Sequence, residues 1–123
     1  MAGNSWLALM SGRRIGRLDE SVEFCGPRSP FQRDYDRILF SSAFRRMQDK
    51  TQVFPLAKND YVRTRLTHSL EVSSVGRSLG VMVGDVLLKK YSELNAAGLQ
   101  VSDFGTIVAA ACLSHDIGNP PFG

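Results

Sequence analysis

The longest periodic pattern in the chain begins at Thr67, where Leu70, Val72, Val75, Leu79, Val83, Val86 and Leu87 recur at helical spacing as a broad apolar stripe. The pattern predicts a helix from Thr67 to about Leu94, ending before the stretch from Asn95 to Gly98. Gly76, Gly80 and Gly84 lie inside it at four-residue intervals. Each glycine costs about 1 kcal/mol against alanine in a helix interior, so three on one face require a compensating gain. Close approach of a neighbouring helix supplies one. Membrane dimers use the same spacing, but Ser78, Asp85, Lys89 and Lys90 are polar positions that lipid would not accept. A last helix is expected from about Phe104 to Ser114, capped by Ser102 or Asp103 and rich enough in Ile, Val, Ala and Leu to be buried. Gly118, Pro120 and Pro121 stop it just beyond His115 and Asp116.

Upstream the signals are shorter. Asp34 can cap a helix to about Asp49, in which Tyr35, Ile38, Leu39, Ala43 or Ser42, and Met47 recur at helical spacing. Thr51–Phe54 and Tyr61–Thr64 are β-prone and flank an Asn-Asp turn, which predicts a small β-hairpin before the first histidine. Residues 1–33 lack sustained periodicity and are broken by Gly12, Gly16, Gly26, Pro27 and Pro30, as expected of an extended or partly ordered arm with one short turn. The expected organisation is thus an arm over 1–33 and a mainly helical region over 34–123.

At 123 residues, 43% apolar and 22% charged, the chain suits one small globular domain and not a disordered one. The apolar cluster from Trp6 to Met10 is too short for a secretory segment, and no run approaches the roughly 20 residues of a membrane span. Cys25 and Cys112 lack metal or redox spacing, and Cys112 reads as a buried free thiol of a reducing, cytoplasmic compartment. The net charge of +3 matters less than its distribution. From Asp36 to Arg65 seven basic residues face three acids, and from Leu66 onward three face five. A positive field just ahead of the first histidine suits a triphosphate or a nucleic acid, and equally a solvated helix face. For Arg45 and Arg46 the neutral alternative is the dipole at a helix C-terminus.

The candidate chemistry rests on two histidines, His68 and His115, the second followed by Asp116. A lone histidine is more often packed or capping than ligating. Here His68 opens the three-glycine helix, and His115 and Asp116 close the buried one. Packing of those helices would bring two imidazoles and a carboxylate together. Two nitrogens and one oxygen suit Mn²⁺, Fe²⁺ or Zn²⁺ better than calcium. Three protein ligands also leave room for water or a phosphate oxygen.

Arg65-Leu66-Thr67-His68-Ser69 and Leu113-Ser114-His115-Asp116-Ile117-Gly118-Asn119-Pro120-Pro121-Phe122-Gly123 resemble motifs of the histidine–aspartate (HD) superfamily. With Phe44-Arg45-Arg46-Met47-Gln48-Asp49-Lys50-Thr51-Gln52-Val53-Phe54-Pro55-Leu56 and Val62-Arg63-Thr64-Arg65, the likeness is to its deoxyguanosine triphosphate triphosphohydrolases (dGTPases) and dGTPase-like relatives, over residues 34–123. The resemblance implies an all-α fold, the N-terminal part of an HD-domain helical bundle. It implies His68, His115 and Asp116 as ligands of a divalent metal (Mn²⁺, Mg²⁺ or Fe²⁺), with Asp116 and Arg65 in catalytic roles. It further implies that Arg65 contacts phosphate, Gln52 reads the sugar 3′-hydroxyl and Val53 packs against the sugar. Arg46 and Arg45 are candidates for reaching phosphate.

The implied activity is hydrolysis of a deoxynucleoside triphosphate, dGTP in the first instance, to deoxynucleoside and tripolyphosphate by a homo-oligomer, a hexamer in keeping with the family. Single-stranded DNA is a further expected partner. In the family Pro-Pro-Phe-Gly is followed by a catalytic histidine and then a glutamate, and a last metal-ligating aspartate lies much further on. The chain stops at Gly123, so it is expected to be a fragment inactive by itself. Two other readings stay open: another HD nucleotide phosphohydrolase, or a non-catalytic module that binds nucleic acid or oligomerises.

Overall fold

The computed structural model describes residues 2–13, 15–16, 28–49 and 64–118. The described residues form helices α1 (Ala2–Leu9), α2 (Pro30–Leu39), α3 (Ser42–Arg45), α4 (Arg65–Lys90), α5 (Ser92–Ala96) and α6 (Val101–Ser114), with a 3-10 turn at Arg46–Asp49. No strand occurs among them, in accord with an all-α fold. The expected hairpin falls on residues 51–63, outside the described ones, apart from Thr64.

Local chemistry accounts for the boundaries, several of which differ from expectation. α2 begins at Pro30 and not at Asp34, because the Ser29 hydroxyl accepts from the Gln32 amide (3.1 Å) and proline is favoured at a first helical position. The single helix expected from Asp34 to Asp49 is instead three pieces. Ser41 is the cause: its hydroxyl accepts from the Phe44 amide (3.2 Å) and starts α3 afresh. Thr64 does the same for α4, accepting from the Thr67 amide at 3.2 Å, so that helix starts at Arg65. At α6 the Gln100 amide donates to the Asp103 carboxylate at 2.8 Å. The first residues of the expected arm form α1, which packs on α5 and buries Met10.

α4 and α6 make the main contact of the fold. They run antiparallel, since Gly84 faces Phe104 while Gly76 faces Cys112. A methyl group on Gly80 would lie 2.6 Å from the Phe104 carbonyl oxygen and 2.9 Å from the Gly105 Cα. On Gly76 it would meet the Cys112 Sγ at 2.7 Å, and on Gly84 the Phe104 ring at 2.7 Å. The three glycines therefore do allow close helix approach, as their spacing suggested. The Ser73 hydroxyl fastens the seam by donating to the Ala109 carbonyl at 2.9 Å.

The consequence for α4 is the reverse of what its apolar periodicity implies. Its buried face is the small-residue row of Ser69, Ser73, Gly76, Gly80 and Gly84, joined by Leu87. Of the predicted stripe only Leu87 is buried; Val75, Leu79, Val83 and Val86 are exposed, with Met82 beside them. Large side chains cannot occupy a seam in which backbones nearly touch, so they lie on the other faces. Elsewhere the core has two parts. Met10, Phe31, Leu87, Leu94, Leu99 and Phe104 form one. Phe44, Met47 and Leu113 form the other, beneath α2 and α3. No helix among the described residues is long and apolar enough to cross a membrane.

Gly80→Ala should lower stability by about 1–3 kcal/mol in chemical denaturation despite alanine's better helix propensity, because the seam must open. Met82→Ala, at a position 65% exposed, should stay within about 0.5 kcal/mol of wild type. Ser69 tests the same seam in another way: its hydroxyl is buried without a hydrogen-bond partner among the described residues, so Ser69→Ala should be neutral or stabilising. Ser73→Ala, which removes the bond to Ala109, should cost about 0.5–1.5 kcal/mol.

Candidate functional site

The antiparallel seam sets the N-terminus of α4 beside the C-terminus of α6. Arg65 and His68 occupy the first turn of α4, three residues apart and hence on one side of it. His115 is the C-cap of α6, and Asp116 follows it in the turn that ends at Gly118. Gly118 takes φ = +85°, a conformation that suits glycine.

The two imidazoles meet edge to face, with ring centroids 5.9 Å apart. His68 is half-buried and His115 exposed. The His115 Nδ1 lies 2.6 Å from the Cys112 carbonyl oxygen. A carbonyl can only accept, so this contact calls for a proton on Nδ1, and the tautomer with that single proton has its lone pair on Nε2. A backbone acceptor on one ring nitrogen is the usual way of fixing a histidine whose other nitrogen binds a metal. The orienting group is thus the backbone of Cys112. Its signal in the sequence is the three-residue spacing to His115. A cleft of about 370 Å³ opens beside His68, lined by Glu71, Val72, Val75, Gly76, Leu79 and Cys112.

Asp116 has a partner that the sequence did not suggest. Its Oδ1 receives the Arg65 Nη1 at 3.3 Å, and both side chains are nearly buried, 10% and 11% exposed. Burial makes this pair unlike a surface ion pair: a carboxylate removed from water needs a cation or hydrogen bonds to remain charged. The Arg65 Nε is buried as well and has no hydrogen-bond partner among the described residues. One turn on, the Ser69 hydroxyl is in the same condition.

A divalent cation fits this arrangement in part. His115 has the right tautomer and His68 lies next to it, but no group of three His, Cys, Asp or Glu side chains among the described residues is gathered closely enough to hold a metal ion. The carboxylate expected to complete the set is held by arginine.

The remaining candidates are dispersed or lie elsewhere. Gln52 and Val53 fall outside the described residues. Arg46 is exposed at the start of the 3-10 turn. Arg45 stacks its guanidinium over the Phe40 ring, 5.9 Å from the centroid, which gives it a local structural partner. Cys112 is half-buried, a free thiol as expected, while Cys25 lies outside the described residues.

No protein-family model matches the chain. Among curated proteins it is similar to a deoxyguanosinetriphosphate triphosphohydrolase-like protein of Synechocystis sp., 59% identical over 119 residues, which covers 96% of this chain and 26% of the relative. A protein of the same name from Pseudomonas aeruginosa is 52% identical over 118 residues, again 96% of this chain and 26% of the relative. One from Listeria monocytogenes is 50% identical over 96 residues, 78% of this chain and 21% of the relative. The chain spans about a quarter of the length of the curated relatives it matches.

The buried ion pair is open to direct measurement. A double-mutant cycle with Arg65→Gln, Asp116→Asn and both together should give a coupling free energy of about 1–3 kcal/mol in urea denaturation. A value near zero would mean that the two side chains do not depend on each other.

Proposed function

Since the chain belongs to the deoxyguanosinetriphosphate triphosphohydrolase-like family, we propose that the protein hydrolyses a deoxynucleoside triphosphate, dGTP in the first instance, to deoxynucleoside and tripolyphosphate. The observation that carries the reading is the meeting of His68 and His115 at one end of the α4–α6 seam, their rings 5.9 Å apart, beside the buried pair of Arg65 and Asp116. These four residues come from the two segments whose motifs resemble the family.

In this reading His68, His115 and Asp116 are the side chains that would hold a divalent metal (Mn²⁺, Mg²⁺ or Fe²⁺). When bound, such an ion would acidify water or polarise a phosphate oxygen. The chain's own residues would do the rest. The Cys112 carbonyl keeps the His115 proton on Nδ1, so that Nε2 remains available as a donor of electrons. Arg65 would carry negative charge that develops on the triphosphate, a role its fork of N–H groups suits better than an ammonium would. Gln52 would read the 3′-hydroxyl, since an amide both donates to and accepts from it. Val53 would pack against the sugar, and Arg46 would add positive charge nearby. A homo-oligomer that also contacts single-stranded DNA is part of the same proposal, as is a cytoplasmic location.

Product analysis tests the reaction. With dGTP and Mn²⁺ the full-length protein should release tripolyphosphate; release of orthophosphate would point to another HD phosphohydrolase, and salt-dependent DNA binding without turnover to a non-catalytic module. His115→Ala should abolish metal retention by elemental analysis, and unchanged metal content would refute the assignment of His115 as a ligand.

A further inference from the structure

The pairing of Arg65 with Asp116 gives one carboxylate two uses. Arg65 Nη1 sits 3.3 Å from Asp116 Oδ1, with both side chains about nine-tenths buried, so water screens the pair little. The same carboxylate would complete the donor set of the two histidines under the reading above, on which this inference rests. A guanidinium already seated on that oxygen opposes a cation in two ways. It occupies a lone pair, and it places a fixed positive charge beside the position a second cation would take. Among the described residues the buried Arg65 Nε has no acceptor, so the guanidinium keeps a donor for another oxygen. An acceptor richer in oxygens would suit it better.

We infer that Arg65 is a competitor for Asp116 as well as a phosphate group's partner, so that a divalent cation and a polyphosphate anion favour each other's binding through this one arginine. A cation that takes Asp116 releases the guanidinium. An anion that takes the guanidinium withdraws it from the Asp116 Oδ1. The coupling is reciprocal by thermodynamic necessity, and its agent is a single side chain at the first residue of α4.

The test is the affinity of the full-length protein for Mn²⁺, measured by isothermal titration without nucleotide, for wild type, Arg65→Gln and Arg65→Lys. Arg65→Gln should bind Mn²⁺ more tightly than wild type by about fivefold or more. Arg65→Lys, which keeps the charge, should stay closer to wild type. Tightening cannot come from damage to the fold, which would only weaken the site. Equal or weaker Mn²⁺ binding by a folded Arg65→Gln variant overturns the inference while leaving the metal reading intact. Absence of Mn²⁺ binding by wild type overturns both. A measurement on wild type alone covers the case in which Arg65→Gln does not fold. In NMR titration with Mg²⁺, the Arg65 side-chain resonances should shift with the same midpoint as the His115 ring. Arg65 signals that stay fixed while the histidines respond contradict the competition.

Discussion

The contact between the small-residue face of α4 and the side of α6 is the constraint from which the rest follows. Gly76, Gly80 and Gly84 bring the helix backbones close enough that an added methyl would fall within 2.6–2.7 Å of Cys112 or Phe104. Glycine in a helix costs stability against alanine, and close packing along the seam offsets that cost. Because the helices are antiparallel, the seam also determines which residues meet at its end. Arg65 reaches Asp116 across 51 positions of sequence, and His68 reaches His115. Neither meeting needs any further device.

At that end the chemistry is divided unequally. The two histidine rings lie edge to face, and the His115 Nδ1 is taken up by the Cys112 carbonyl. The aspartate is arranged for an arginine. A buried carboxylate needs a cation or hydrogen bonds, and the Arg65 guanidinium is one such partner. The family likeness and the geometry thus point to the same four residues but weigh them differently. The motif places Asp116 with the metal ligands, whereas the structure ties it first to the residue that the motif assigns to phosphate. Tension between two partners for one group is a common way to couple two ligands.

Much of this was legible in the sequence, though unevenly. The glycine spacing led directly to helix–helix contact, and the glycine and prolines after Asp116 led to a helix ending there. The apolar stripe of α4 misled, because periodicity locates an apolar face without saying which neighbour covers it. Backbone proximity reserves the seam for serine and glycine, and Val75, Leu79, Val83 and Val86 are excluded from it. The breaks at Ser41 and the start at Ser29 depend on single hydroxyl–amide bonds, which a window of hydrophobicity does not register. The two histidines were recognisable from motif and context. The Arg65–Asp116 pair was not, since both residues already had roles by resemblance and nothing local marks two distant side chains as partners.

The glycine seam holds two distant segments in register, and the candidate site at its end depends on it. Paramagnetic broadening of the His68 and His115 imidazole resonances by Mn²⁺, compared between wild type and Gly76→Ala, tests this dependence most directly. In wild type both rings should broaden together at the same metal concentration. In a Gly76→Ala variant of unchanged helicity, that joint broadening should be weakened, although both histidines are still present. Equal and simultaneous broadening in the two proteins would show that the site does not depend on the seam.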